Sequence, residues 1–321
     1  MSRFESYMAP LMESYIIYRK ASGRWSATYE QNLHLFDRHC SRLYPKAEAL
    51  TQEMVDGWCS QRATEKNNSC RARVNVVSGF VRYLRNRRKT AVAGPVFPRR
   101  ERQTYIPHAF TALELENFFK ACDRLLSTPR IPAVLLRKIT VPVFFRLLYS
   151  SGIRTTEARM LHVGDVDLDY GILNIRHSKG PSQHYVVLHD TMLDLLKRYD
   201  AATRALYPER EYFFPAHNGS CHTRAWVQCN FREFWSMYNS SYATAYELRH
   251  HYTTENINQW IGEGFEFDSK LLYLSKSMGH STQESTRYYY SLVPTMADIL
   301  EKLSGRGFDD IVPEVDDEEG Q

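Results

Sequence analysis

Only one stretch of this 321-residue chain is patterned like a pair of β-strands. Gly171-Ile-Leu-Asn-Ile175 and His184-Tyr-Val-Val-Leu188 flank a polar turn, His177 to Gln183, within a strand territory that runs from Val166 to Leu188. Elsewhere the apolar residues recur at helical spacing. The expected fold is mostly α with a small antiparallel β-sheet set inside an otherwise helical domain.

Two domains follow from the rest of the pattern. Up to about residue 90 the chain reads as helices, one beginning around Leu11, Tyr15 and Ile16, a second from about Thr28 to Leu43 that stops before Pro45, and a third capped by Thr51. A fourth carries Val74, Val77, Val81 and Leu84 on one face. Thr90 to Ile106 holds two prolines, a glycine and three arginines, an extended basic linker. Thr111 and Glu114 form a capping box that opens the next domain, followed by an apolar helix over Ile139 to Ser150 and helices near 190–206, 223–238, 246–252 and 269–278. The boundaries are therefore a helical domain over 1–92, a linker over 93–106, a second domain over 107–305 and an acidic tail over 306–321, whose composition suits disorder.

Charge separates along the same lines. The net charge of +4 conceals 18 Lys/Arg against 8 Asp/Glu in residues 1–100, near balance over 101–306, and seven acidic residues with no basic ones from 307 onward. An N-terminal third of net +10 suits a polyanion, and nucleic acid is the commonest; a solvated basic face is the other reading of the same charge. On the fourth helix Arg71, Arg73, Arg82, Arg85, Arg87, Arg88 and Lys89 occur with no acidic residue among them, so guanidinium forks could lie along phosphates. The six cysteines form no CxxC pair, and the spacing of His217, Cys221, His222 and Cys229 matches no zinc module, so neither disulfides nor a metal site is expected. No apolar run reaches membrane-spanning length and no signal peptide is visible, which points to the cytoplasm.

The chemistry-bearing residues come in order: Arg154 after a Ser-Gly turn with Glu157 three positions on, Lys179 in the hairpin turn, Tyr246-Glu247-Leu248-Arg249-His250, then Gly279-His280 and the triplet Tyr288-Tyr289-Tyr290. Ser281-x-x-Glu284 reads as a capping box, so one short helix would carry all three tyrosines about 100° apart, and only one of them could face a given target.

Each motif is weak alone, but five in this order resemble the tyrosine recombinases, the family of phage integrases, chromosome-dimer resolvases and transposon recombinases. The resemblance covers roughly residues 107–304. It implies a site-specific recombinase that needs no cofactor or metal and closes as a clamp on duplex DNA. Strands would be exchanged through a 3′-phosphotyrosine link and a Holliday junction by a tetramer on specific core sites, with an accessory DNA-bending protein as a further possible partner. By resemblance Arg154 and Arg249 clamp the scissile phosphate, Lys179 protonates the leaving 5′ oxygen, His280 hydrogen-bonds a phosphate oxygen, and Tyr289, nine positions after His280, attacks. Glu157 and His250 are supporting residues.

Two departures stand out. Tyr246 replaces the family's usual histidine, and a phenol with a pKa near ~10 is a poor base at neutral pH, so it either serves for positioning or leaves the proton to His250 or another group. Arg249 and His280 are also 31 positions apart, which suggests an insertion around residues 260–268. Beyond the tyrosines, Leu292, Met296, Ile299 and Leu303 form an apolar stripe that could pack on a neighbouring protomer or on its own domain. A type IB topoisomerase-like enzyme, a catalytically silent DNA-binding regulator and a purely structural protein are the rival readings.

Overall fold

The computed structural model describes residues 4–23, 25–101, 106–124, 131–176, 183–260, 266–280 and 286. It divides into two compact units, Met1–Tyr105 and Ile106–Gln321. Among the described residues no helix is long and apolar enough to cross a membrane.

The first unit holds four helices, α1 (Ala9–Ala21), α2 (Ala27–Leu43), α3 (Gln52–Cys59) and α4 (Asn67–Asn86). The Thr51 hydroxyl accepts from the Met54 N–H at 3.3 Å, satisfying a donor at the start of α3. One face of α4 sends Val74, Val77, Phe80, Val81 and Leu84 into a core shared with Met12, Tyr15, Leu33, Phe36 and Val55. Gly79 lets α4 approach a hydroxyl pair, Tyr15 and Tyr29, 2.7 Å apart; any side chain there would strike both oxygens.

Arg73 is a correction to the sequence reading. It is only 6% exposed, and its guanidinium donates to both carboxylate oxygens of Glu65, at 3.0 and 2.7 Å, to the Ser60 carbonyl at 3.0 Å and to the Trp58 carbonyl. The acidic partner absent from α4 lies eight residues earlier, in the turn that leads into the helix. Arg73 therefore ties that turn to α4 and is turned away from any phosphate. Arg71 is half-committed as well, donating to the Pro98 carbonyl at 2.6 Å. Arg82, Arg85, Arg87, Arg88 and Lys89 are exposed, with Arg87 lying over the Tyr83 ring at 3.8 Å.

The helix ends in a turn that a glycine would suit better. Arg88 has φ 55°, the Lys89 N–H reaches back to the Leu84 carbonyl at 2.9 Å, and the Arg88 N–H reaches the Arg85 carbonyl at 2.9 Å. A cation thus occupies the left-handed position, where its own charge also meets the negative end of the helix.

In the second unit the helices are α5 (Ala112–Asp123), α6 (Pro132–Ser151), α7 (Thr155–Arg159), α8 (Asp190–Leu206), α9 (Arg224–Trp235), α10 (Glu247–Gln259) and α11 (Glu266–Ser277). The Thr111–Glu114 capping box is present at the start of α5. Helix α6 begins seven residues earlier than the apolar pattern suggests, because Pro132 occupies the first turn, where its missing N–H is no loss. Its second proline, Pro142, sits inside the helix.

Between α7 and α8 lie β1 (Val166–Asp167), β2 (Ile172–Ile175) and β3 (His184–Val187), an antiparallel sheet in the order β1-β2-β3. Leu173 pairs with Val186 and Ile175 with His184, and these four face inward, whereas Tyr185 and Val187 are exposed. The inner face meets α11, and the core between α5, α6, α8, α9 and α10 is filled by Phe118, Phe144, Phe145, Phe214, Phe231 and Leu248.

The Arg73–Glu65 pair generates a stability prediction. The guanidinium holds the Glu65 carboxyl down at about 2, from an ordinary value of 4.5. Because the folded value is depressed, this contribution is complete above about pH 4.5 and is lost as the pH falls towards 2. Arg73→Ala is expected to lower the unfolding free energy by about 3 kcal/mol, since it strands a mostly buried carboxylate. Urea denaturation across that pH range should show the acid-dependent slope in the native protein and a weakened one in the variant.

Candidate active site

Two helix ends create the site. Helix α6 stops at Gly152, which has φ 64° and whose N–H bonds the Leu148 carbonyl at 3.1 Å. Helix α11 stops at Gly279, with φ 61°; the His280 N–H reaches the Ser275 carbonyl at 3.0 Å and the Gly279 N–H reaches Lys276 at 2.9 Å, the paired bonds of a Schellman turn. Such ends leave carbonyls without helical partners and carry a partial negative charge. Here they face arginines.

Arg249, on the first turns of α10, is 2% exposed. One of its terminal nitrogens donates to the Gly152 carbonyl at 2.7 Å; the other donates to the Met278 carbonyl at 2.8 Å and lies 3.0 Å from His280 Nε2. Arg154, immediately before α7, donates to the Gly279 carbonyl at 3.3 Å. Glu157 orients it: one carboxylate oxygen accepts from the Arg154 guanidinium at 2.6 Å and the other from its backbone N–H at 2.7 Å, while the Glu157 side chain is fully buried. Arg154, Glu157, Arg249 and His280, separate in sequence, thus meet around the Met278–Gly279 turn.

Placing two guanidiniums side by side is unfavourable in a partly dry site, and burying one adds a desolvation cost of several kcal/mol. The carbonyls of Gly152, Met278 and Gly279 together with Glu157 offset that repulsion. Sequence reasoning finds the cations but not these main-chain partners, whose only trace is the glycine that ends each helix. Both glycines are also held by contact. A side chain at Gly152 would strike the Tyr252 ring, and one at Gly279 would lie 2.6 Å from His184 Cε1.

His280 Nδ1 is 2.7 Å from the Thr286 hydroxyl, and Thr286 is fully buried. Burial, then the charges of Arg249 and Arg154, push the imidazole down to about 4, so it is neutral at pH 7. The structure also places Tyr246 and His250. Tyr246 is 45% exposed, stands just before α10, and presents its ring edge-on to His250 at 5.2 Å. His250 is buried and its pKa is lowered mainly by that burial. Glu247 accepts from the His108 N–H at 3.1 Å and from the Thr244 N–H, anchoring the start of α10 to the first residues of the unit. Lys179, Tyr289 and the segments around 261–265 and 291–321 lie outside the described residues.

The sequence pattern of the phage integrase family matches residues 110–295, more than half of the chain. A putative integrase/recombinase of Sinorhizobium fredii, y4rE, is 27% identical over 96% of this chain and 98% of its own length. Among solved structures, the XerH site-specific recombinase bound to palindromic difH substrate in a post-cleavage complex has a TM-score of 0.59 at 18% identity, covering 87% of this chain and 78% of that one. A lambda integrase tetramer bound to a Holliday junction has a TM-score of 0.58 at 16% identity, covering 87% and 76%. With the ordered motifs, the mostly helical fold and its three-stranded sheet, and a match across the whole second unit's core, the chain belongs to the phage integrase family of tyrosine recombinases.

Proposed function

We propose that the protein is a site-specific DNA recombinase that cleaves and rejoins strands through a 3′-phosphotyrosine intermediate. The observation that carries this reading is the convergence of Arg154, Arg249 and His280 on one helix-terminal turn. Breaking a phosphodiester without a metal requires fixed positive charge where the phosphoryl oxygens become more negative, and two preorganised guanidiniums supply it.

In this mechanism the Tyr289 oxygen attacks the scissile phosphorus and the bond to the 5′ oxygen breaks. Lys179 donates a proton to that departing oxygen. The phosphotyrosine link conserves the bond energy, and attack by a 5′ hydroxyl on the same phosphorus reverses the step, so rejoining needs no nucleotide cofactor. Tyr246, exposed and phenolic, serves for positioning. His250, whose basicity burial lowers, or another group takes the tyrosine's proton.

Exposed cations at the end of α4, Arg82, Arg85, Arg87, Arg88 and Lys89, suit phosphate contacts that position DNA without reading its sequence. A tetramer on two paired sites and exchange through a Holliday junction complete the proposal, with the apolar stripe from Leu292 to Leu303 as the contact between protomers. An accessory DNA-bending protein is a further proposed partner. A type IB topoisomerase-like activity would share the chemistry but relax supercoils without site preference.

Nicked suicide DNA carrying the core site should trap a covalent adduct with the native protein on a denaturing gel, and Tyr289→Phe should abolish it. Adduct formation by Tyr289→Phe would remove that tyrosine from the nucleophile's role. Lys179→Ala should slow cleavage of ordinary DNA by about a hundredfold or more and be rescued by a 5′-phosphorothiolate, whose leaving group needs no proton; absence of rescue would assign the proton to another group. Replacing Arg85 by Ala should lower the slope of log affinity against log salt by roughly 1, whereas Arg73→Ala should leave the slope unchanged.

A further inference from the structure

Among the described residues the His280 imidazole meets a hydrogen-bond neighbour at each ring nitrogen, and the two differ in kind. At Nε2 stands Arg249, 3.0 Å away, and a guanidinium only donates. Nε2 therefore bears a lone pair, and the single proton of the neutral ring sits on Nδ1, where it is donated to the Thr286 hydroxyl at 2.7 Å. In this arrangement His280 turns an acceptor towards the arginines. A phosphate oxygen, which is itself an acceptor, needs the opposite: a proton on Nε2.

We infer that Thr286 is a positioning residue whose hydroxyl allows His280 to exchange tautomers when phosphate enters, accepting from Nδ1–H in the free protein and donating to bare Nδ1 in the DNA complex. The inference rests on the proposed role of His280 as a phosphate ligand. A hydroxyl is suited to this because it carries both a donor and acceptor lone pairs, and the hydrogen rotates without moving the oxygen. A carboxylate in the same place could only accept and would hold the proton on Nδ1. Thr286 is fully buried, so no bulk water can replace its hydrogen bond.

The exchange follows from the change of partner. When a phosphate takes up the Arg249 donor that now faces Nε2, that nitrogen loses its reason to stay unprotonated and gains an acceptor. A proton from solvent arrives at Nε2 and the Nδ1 proton returns to solvent during a transient opening of the buried contact, so the ring's count is unchanged. The groups that set the field around the ring are Arg249 from α10, Arg154 and Glu157 from the start of α7, and His184 from β3, which packs against Gly279. Burial first, and then the two fixed cations among these four, keep the ring from holding both protons before the phosphate arrives. Thr286 also stands three positions before Tyr289 in sequence, so the residue that sets the ring's tautomer belongs to the segment that supplies the nucleophile.

The test uses the full chain. In 15N-histidine spectra, the His280 signal, assigned by its loss in His280→Asn, should show a proton on Nδ1 in the free protein. In a complex of Tyr289→Phe with uncleaved core-site DNA it should show the proton on Nε2. Thr286→Val, of nearly the same shape, should slow single-turnover cleavage of suicide DNA on the order of tenfold to a hundredfold with little change in DNA affinity, and Thr286→Ser should restore the native rate. A native rate in Thr286→Val, a Thr286→Ser variant as slow as the valine one, or a ring protonated on Nε2 already in the free protein would each overturn the inference. If Thr286→Val does not fold, the serine variant and the native spectra still decide. Failure of the native protein to form any adduct would instead count against the recombinase reading, and the free-protein tautomer is read independently of it.

Discussion

Arg249 against the carbonyls of Gly152 and Met278 is the interaction on which the rest of the second unit's architecture depends. A guanidinium that is almost fully buried must meet acceptors in nearly every direction its nitrogens point, or its charge would not remain in the folded state. Helix termini meet that demand without introducing a carboxylate that would repel phosphate. The price is geometric: α6 and α11 must both end beside α10, each in a left-handed residue. Docking α10 on α6 through Tyr252 and Gly152, and α11 on β3 through Gly279 and His184, fulfils it.

Electrostatic balance explains why, among the described residues, one carboxylate enters the cluster. Glu157 has both oxygens occupied by Arg154, one through the guanidinium and one through the backbone N–H. It aims the side chain and closes the first turn of α7, while the guanidinium also reaches the Gly279 carbonyl. Backbone carbonyls carry partial charges, so they steady the second arginine without cancelling its full charge. The cluster thus stays electropositive, and the basicity of His280 is depressed first by its burial and then by the charges of Arg249 and Arg154.

Much of this was legible in the residues because the signals are local. Helical periodicity locates the first-unit helices, the Thr111 capping box marks the start of α5, and the two short apolar runs around a polar turn mark β2 and β3. What escaped depends on contacts distant in sequence or on main-chain atoms. Arg73 looked like its neighbours on α4 until Glu65 and the carbonyls of Trp58 and Ser60 closed around it. The early start of α6 is hidden because a proline reads as a break in the sequence, whereas in the first turn it costs no helical hydrogen bond. Thr286 was passed over for the three tyrosines that follow it, since a lone threonine has no pattern to betray it. The order of Arg154, Arg249 and His280, by contrast, was readable as a motif, and the structure brings those three to one turn.

The helix-terminal carbonyls have a consequence for how such a chain can vary. An acceptor made of main chain cannot be removed by exchanging a side chain, so the cradle for the cations is inherited with the path of the backbone. Residues around it are free to drift as long as α6 and α11 end where they do. A comparison of aligned side chains would register the arginines and overlook what holds them, leaving Gly152 and Gly279 as the two letters in which the cradle is written.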